Sequence, residues 1–132
     1  MATTIANINI TSDIMDSAVS IANPSTVYQA GGTTGVVETT GLAALKRAST
    51  SKIDLIEYDQ DSVSGAAAKV YIKNTSSSST QYVQVFINSV ELSRLYGGDW
   101  MFIPWTGGSG EDIEVQPSTT DPVTLEYMAL YG

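Results

Sequence analysis

Lys69-Val70-Tyr71-Ile72-Lys73-Asn74-Thr75, then four serines and Thr80, then Gln81-Tyr82-Val83-Gln84-Val85-Phe86-Ile87: the side chains on either side of the serines alternate with a period of two. Successive side chains of a strand point to opposite faces. Val70 and Ile72 therefore read as a buried face, with Lys69, Tyr71 and Lys73 on the other. In the second run Val83, Val85 and Ile87 face one way, and Tyr82, Gln84 and Phe86 the other. The serine run reads as a turn or mobile loop, so the two strands form a hairpin or a sheet-to-sheet connection.

Downstream, Asn88 to Leu95 leads into Tyr96-Gly97-Gly98-Asp99, a turn in which Gly97, Gly98 and Asp99 are the structural residues. Trp100-Met101-Phe102-Ile103-Pro104-Trp105 is the densest hydrophobic patch in the chain. Trp100, Phe102 and Pro104 share one strand face; Met101, Ile103 and Trp105 share the other. Pro104 lacks an amide hydrogen and so belongs near a strand end or on an edge strand. Gly107-Gly108-Ser109-Gly110 is a flexible connection, and Ile113-Glu114-Val115 and Leu125 to Tyr131 supply the last strands. Turns around Pro117 and Asp121-Pro122 separate them.

Upstream, residues 51–58 read as a strand in which Ile53 and Leu55 alternate with Lys52, Asp54 and Ile56, ended by Asp59-Gln60-Asp61-Ser62. Leu42-Ala43-Ala44-Leu45-Lys46-Arg47-Ala48 has helix-forming composition over two turns, or is an arm lying across a neighbour. Residues 3–10 alternate as a strand, with Ile8 and Ile10 on one face. Residues 11–16 open a short helix with Ser12 or Asp13 at its start, and residues 18–22 form a strand ending near Asn23-Pro24. Residues 31–35 are a glycine-rich loop tip, followed by a brief strand at 36–40.

Many short strands separated by glycine- and proline-rich bends predict an all-β protein. The expected fold is a β-sandwich or jelly-roll-like domain with an irregular N-terminal segment, and an irregular β-barrel is the alternative. Residues 42–132 are the expected β-sandwich body. Residues 1–41 are a strand or arm region packed on that body or on a neighbour. The 132 residues suffice for one ordinary domain.

Composition narrows the function. Six basic residues against fourteen acidic ones give a net charge of -8, so direct nucleic-acid binding through phosphate neutralisation is not expected. Without Cys there is neither a disulfide nor thiolate chemistry, and without His the commonest near-neutral acid-base group is gone. Residues 1–10 lack a basic segment followed by a continuous apolar stretch and do not read as a secretory signal. No apolar run approaches the length that crosses a bilayer, so no membrane partner is expected.

The candidate functional residues are accordingly interface residues. Trp100, Phe102 and Trp105 belong to the aromatic strip, read as core, assembly contact or both. Tyr71, Tyr82 and Phe86 form a second surface, an aromatic ladder if the two strands pair as a hairpin. Asp59 with Asp61, and Glu111 with Asp112 and Glu114, read as solvated loop acids, because neither set has the ligand spacing of a calcium loop. The glycine stretches lack the Lys-Ser/Thr ending of a phosphate-binding loop. No spacing unites a nucleophile, a base and an oxyanion site, so neither a catalytic residue nor a metal or other cofactor is expected.

The segment Lys69 to Thr75, followed by Gly97-Gly98-Asp99-Trp100-Met101-Phe102-Ile103-Pro104-Trp105 and by Thr124-Leu125-Glu126-Tyr127-Met128, resembles small virion structural proteins of tailed bacteriophages. The resemblance spans residues 69–132. It implies a non-enzymatic capsid decoration or cement protein on the capsid exterior, or a small tail or head-tail component. Its implied partners are the major capsid protein, met through N-terminal segments, and copies of itself around a local three-fold axis as a homotrimer. Arg94 and Asp99 are expected to orient their turn through an ion pair. A carbohydrate- or host-binding module is the alternative class, in which Trp100, Trp105 and Tyr71 would converge on a sugar.

Overall fold

Period-two alternation becomes strand wherever an apolar side chain has a facing sheet to pack against. The computed structural model describes residues 5–12, 19–26, 38–58 and 68–131. Their regular elements are all strands: β1 (Ile5–Ser12), β2 (Val19–Thr26), β3 (Glu38–Thr39), β4 (Ala43–Arg47), β5 (Ile53–Ile56) and β6 (Ala68–Asn74). Then come β7 (Tyr82–Ile87), β8 (Val90–Tyr96), β9 (Trp100–Trp105), β10 (Ile113–Pro117) and β11 (Val123–Tyr131). The chain is all-β, and its two larger antiparallel sheets pack on each other as a sandwich. One sheet has the order β5-β10-β7-β8; the other runs β3-β11-β6-β9. In the second sheet β4 also pairs with β11, so β3 and β4 share one edge of that long strand.

Alternation decides what enters the core. Ala68, Val70 and Ile72 of β6 and Val123, Leu125, Ala129 and Tyr131 of β11 point inward from the five-stranded sheet. They meet Val83 and Val85 of β7, Leu95 of β8, and Ile113 and Val115 of β10 from the four-stranded sheet. Each aliphatic side chain closed off from water in this way stabilises the fold by about 1.5–3 kcal/mol.

The segments around the serine run lie in different sheets, so residues 75–81 are a sheet-to-sheet connection and not a hairpin. An aromatic ladder of Tyr71 with Tyr82 and Phe86 is thereby excluded. Both strands bury their aliphatic face, which sends Tyr71 to one outer surface of the sandwich and the other two rings to the opposite one.

Asn74 ties this crossing together. It is fully buried, and its side-chain amide donates to the Leu95 carbonyl at 3.0 Å. Its Oδ1 accepts from the Ser76 amide at 3.0 Å and the Ser76 hydroxyl at 2.7 Å. Its backbone amide donates to the Asp99 carbonyl, and its own carbonyl accepts from the Gly98 amide. The turn joining β8 to β9 therefore rests on the end of β6. Gly97 has no alternative there, since a Cβ would lie 2.5 Å from the Ser78 carbonyl oxygen and 2.7 Å from that of Ser76. Gly98 takes φ of 90°, which disfavours side chains. Asp99 accepts the Tyr96 amide on Oδ2 at 2.9 Å. The expected Arg94–Asp99 ion pair is absent, because Arg94 binds Glu91 at 2.6 Å.

Residues 88–95 are more regular than their composition suggests. Asn88 and Ser89, with φ of 49° and 61°, form a two-residue hairpin turn of the kind that matches strand twist, and β8 pairs with β7. The register slips between Val85 and Phe86, leaving Leu92 as an extra residue, and this places Glu91 and Arg94 on one face. A second slip, between Ile113 and Glu114, leaves Leu55 extra in β5. Leu55 and Ile56 are consequently both buried, so Ile56 joins the core and not the polar face expected for it.

Two N-terminal expectations change. The helix-forming stretch at 42–48 is strand β4: Leu45 packs on the core while Ala44 and Lys46 stay exposed. Pairing with β11 outweighs a propensity worth only tenths of a kcal/mol per residue. The strand expected to end near Asn23-Pro24 continues through both as β2, with Pro24 opposite Asn7 on a two-stranded sheet that offers proline an edge. Thr11 and Ser12 belong to β1, and the rest of the helix expected at 11–16 lies outside the described residues, as does the glycine-rich tip at 31–35. Glu38 and Thr39, within the region expected to pack on the body or on a neighbour, pair with β11.

Replacing Asn74 by Ala should leave the Leu95 carbonyl and the Ser76 amide without their partner. Urea denaturation is expected to show a loss of about 2–4 kcal/mol, against less than about 1.5 kcal/mol for Ser76→Ala.

Candidate functional site

A strand face becomes a surface when no further layer covers it. In β9 the strip splits as its alternation requires. Trp105, Ile103 and Met101 lie opposite Ala68, Val70 and Ile72 and share their inward face. Pro104, Phe102 and Trp100 lie opposite Lys69, Tyr71 and Lys73 on the outward face. Trp105 is 3% exposed, with its indole N–H donating to the Glu111 carbonyl at 2.8 Å, whereas Trp100 is 52% exposed. Of the interface candidates, Trp105 is thus a core residue whose ring is spent on the fold. Trp100, Phe102 and Tyr71 stand together on the outside. The three rings proposed to converge on a sugar do not meet, because Trp105 is on the other side of the sheet from Trp100 and Tyr71.

The pairing of β6 with β11 continues this outer face. Phe102, Tyr71 and Met128 form one row across three strands; Pro104, Lys69 and Leu130 form the next. On the other side, Trp100, Lys73 and Glu126 are aligned, with Ala44 of β4 beyond them. Tyr71 donates its hydroxyl to Glu126 Oε1 at 3.0 Å. Partial burial, that hydrogen bond and the negative charge of Glu126 all push the Tyr71 phenol above the ordinary tyrosine range. Burial pushes the Lys69 ammonium below the usual lysine range. Lys46 lies on the same face, opposite Thr124. The result is an aromatic and aliphatic centre bordered by lysines.

The outer face of the four-stranded sheet is built differently. Tyr82 and Phe86 stand on it, but each ring is covered by a cation: Arg94 lies 4.9 Å from the Tyr82 ring centre and Lys52 4.9 Å from that of Phe86. Tyr96 tilts against Tyr82 with ring centres 5.3 Å apart. Lys52 is held by Glu114 at 3.4 Å, and Arg94 by Glu91. The Arg94 guanidinium, with help from Gln84, holds the Glu91 carboxyl below the usual carboxylate range. Here the aromatic groups already have partners within the chain.

The loop acids are occupied separately. Glu111 accepts from the Thr106 hydroxyl, Asp112 from the Tyr58 amide at 2.7 Å, and Glu114 from the Ser89 amide at 2.7 Å. Asp59 and Asp61 lie outside the described residues. Pro104 is on an edge strand of its sheet among the described residues, where a missing amide costs no ladder bond. Met128, Leu130 and Lys46 were not among the sequence candidates. Alternation along 124–130 separates Met128 and Leu130 from Leu125 and Ala129, but it does not say which strand lies alongside.

No protein-family model matches the chain, and no curated protein matches it. Among solved structures it is similar to the Cnp3 cupin domain of Schizosaccharomyces pombe, with 8% sequence identity and a TM-score of 0.46. That similarity covers 97% of this chain and 88% of the other.

Trp105→Ala is expected to cost about 3–5 kcal/mol in urea denaturation, and Trp100→Ser less than about 0.5 kcal/mol. Tyr71 gives a second check. Its phenol loses a proton at higher pH in the folded chain than in the unfolded one, so its contribution is complete below the ordinary tyrosine range. That contribution fades as pH rises towards the folded value. Ultraviolet titration of the folded protein should show a late-ionising tyrosine that moves earlier in Glu126→Gln.

Proposed function

We propose that this chain is a non-enzymatic structural protein of a phage virion, a decoration or cement protein held on the capsid exterior by protein–protein contacts. The observation that supports this reading is the row Phe102–Tyr71–Met128 with exposed Trp100 beside it, on a sheet face that no element among the described residues covers. Apolar groups gathered on one face mark an interaction surface, whereas scattered ones need no explanation. The resemblance of residues 69–132 to small virion proteins narrows the kind of assembly. In this reading the partners are the major capsid protein and copies of the chain itself as a homotrimer, with neither nucleic acid, membrane nor cofactor involved.

Such a protein acts by adding buried contact across a joint between capsomers. Each contact is modest, but attachment through several copies at once raises the effective concentration of every further contact. Aromatic side chains suit this role, since they bury a large area with few rotatable bonds.

The test is the protein inventory of purified particles together with cryo-electron microscopy of their heads. The chain is expected in a regular lattice over the shell. A Trp100→Ser/Phe102→Ser double variant should fold normally by circular dichroism yet bind stripped heads at least about tenfold more weakly. Density confined to the tail would replace the head assignment with a tail one. Absence of the chain from particles would overturn the virion reading.

A further inference from the structure

The two outer faces of the sandwich carry opposite charge. Among the described residues of the five-stranded sheet, Lys46 and Lys73 face outward beside Glu126, in a chain whose net charge is -8. Lys46 and Lys73 make no ion pair among the described residues. On the four-stranded sheet the outward groups are Lys52 and Arg94 against Asp54, Glu91 and Glu114. Both of those cations are held by their own carboxylates, Glu114 and Glu91, which leaves Asp54 exposed and uncommitted. Glu57 and Asp112 add negative charge where β5 ends and β10 begins.

Resting on the assembly reading above, we infer that the occupant of the lysine-bordered apolar face is a second copy of this chain, presenting its acidic four-stranded sheet. The faces match in kind as well as in charge. Trp100, Phe102 and Met128 supply an apolar centre on one side; Tyr96, exposed beside Tyr82, supplies a ring on the other. Because two different surfaces meet, the contact is head to tail. Such a contact has no two-fold axis. Like-charged copies with a net charge of -8 repel at long range, so the local attraction has to be specific to this orientation.

Sedimentation velocity of the purified chain tests this without any virion. Association is expected at moderate salt, where the long-range repulsion is screened, and should weaken as salt is raised further. Lys46→Glu/Lys73→Glu should weaken it about tenfold or more, and so should Asp54→Lys/Glu91→Lys. All four side chains are exposed or half-exposed, so both double variants should keep the native circular dichroism spectrum. Mixing the two double variants should restore association, because one variant's reversed face then meets the other's. A chain that stays monomeric at every salt concentration, or an association that neither double variant alters, would overturn the inference. If monomeric chain nonetheless binds heads, the virion reading stands and only the self-contact is lost.

Discussion

Two sheets can close on each other only if every strand that crosses between them keeps its aliphatic face turned inward. In this chain that condition falls on β6 and β7, which are neighbours in sequence but lie in opposite sheets. Val70 and Ile72 approach from one side, Val83 and Val85 from the other, and all four are fully buried. A slip of one residue in either strand would exchange valine for lysine or glutamine in the core. The buried amide of Asn74 sits at the point where such a slip would begin. It bonds to both the departing loop and β8 and so fixes where β6 stops. The outer faces are set by the same condition, because whatever alternates with the core must face outward.

The contrast between those outer faces follows from local chemistry. On the four-stranded sheet the rings of Tyr82 and Phe86 are covered by Arg94 and Lys52, and these cations are held by carboxylates of the same sheet. Such a surface is largely satisfied within the chain. On the other sheet, Tyr71 spends its hydroxyl on Glu126, while Trp100 and Phe102 stand beside lysines. That difference, more than the number of aromatic residues, distinguishes the two faces.

Much of this was legible in the sequence where alternation is strict. The inward and outward sets of β6, β7 and β9 follow directly from the spacing of Val70 and Ile72, of Val83 and Val85, and of Trp100 and Phe102. What could not be read was adjacency. Tyr71 and Tyr82 look like partners along the chain, and only the choice of sheet separates them. Composition misled at Leu42 to Ala48, where alanine and leucine favour helix locally but the free edge of β11 recruits a strand. The extra residues Leu55 and Leu92 shift the alternation by one, which is why Ile56 and the Glu91–Arg94 pair escaped a simple count. Trp105 and Trp100 are the same residue type five positions apart, and only the odd spacing assigns one to the core and one to the surface.

The rim of the sandwich at β8 and β9 carries two interruptions, the extra Leu92 in one strand and Pro104 in the other. Either one spoils the continuous row of backbone donors and acceptors on which a foreign strand would grow. Such a rim resists edge-to-edge growth, even though Val90 and Leu92 are exposed along it.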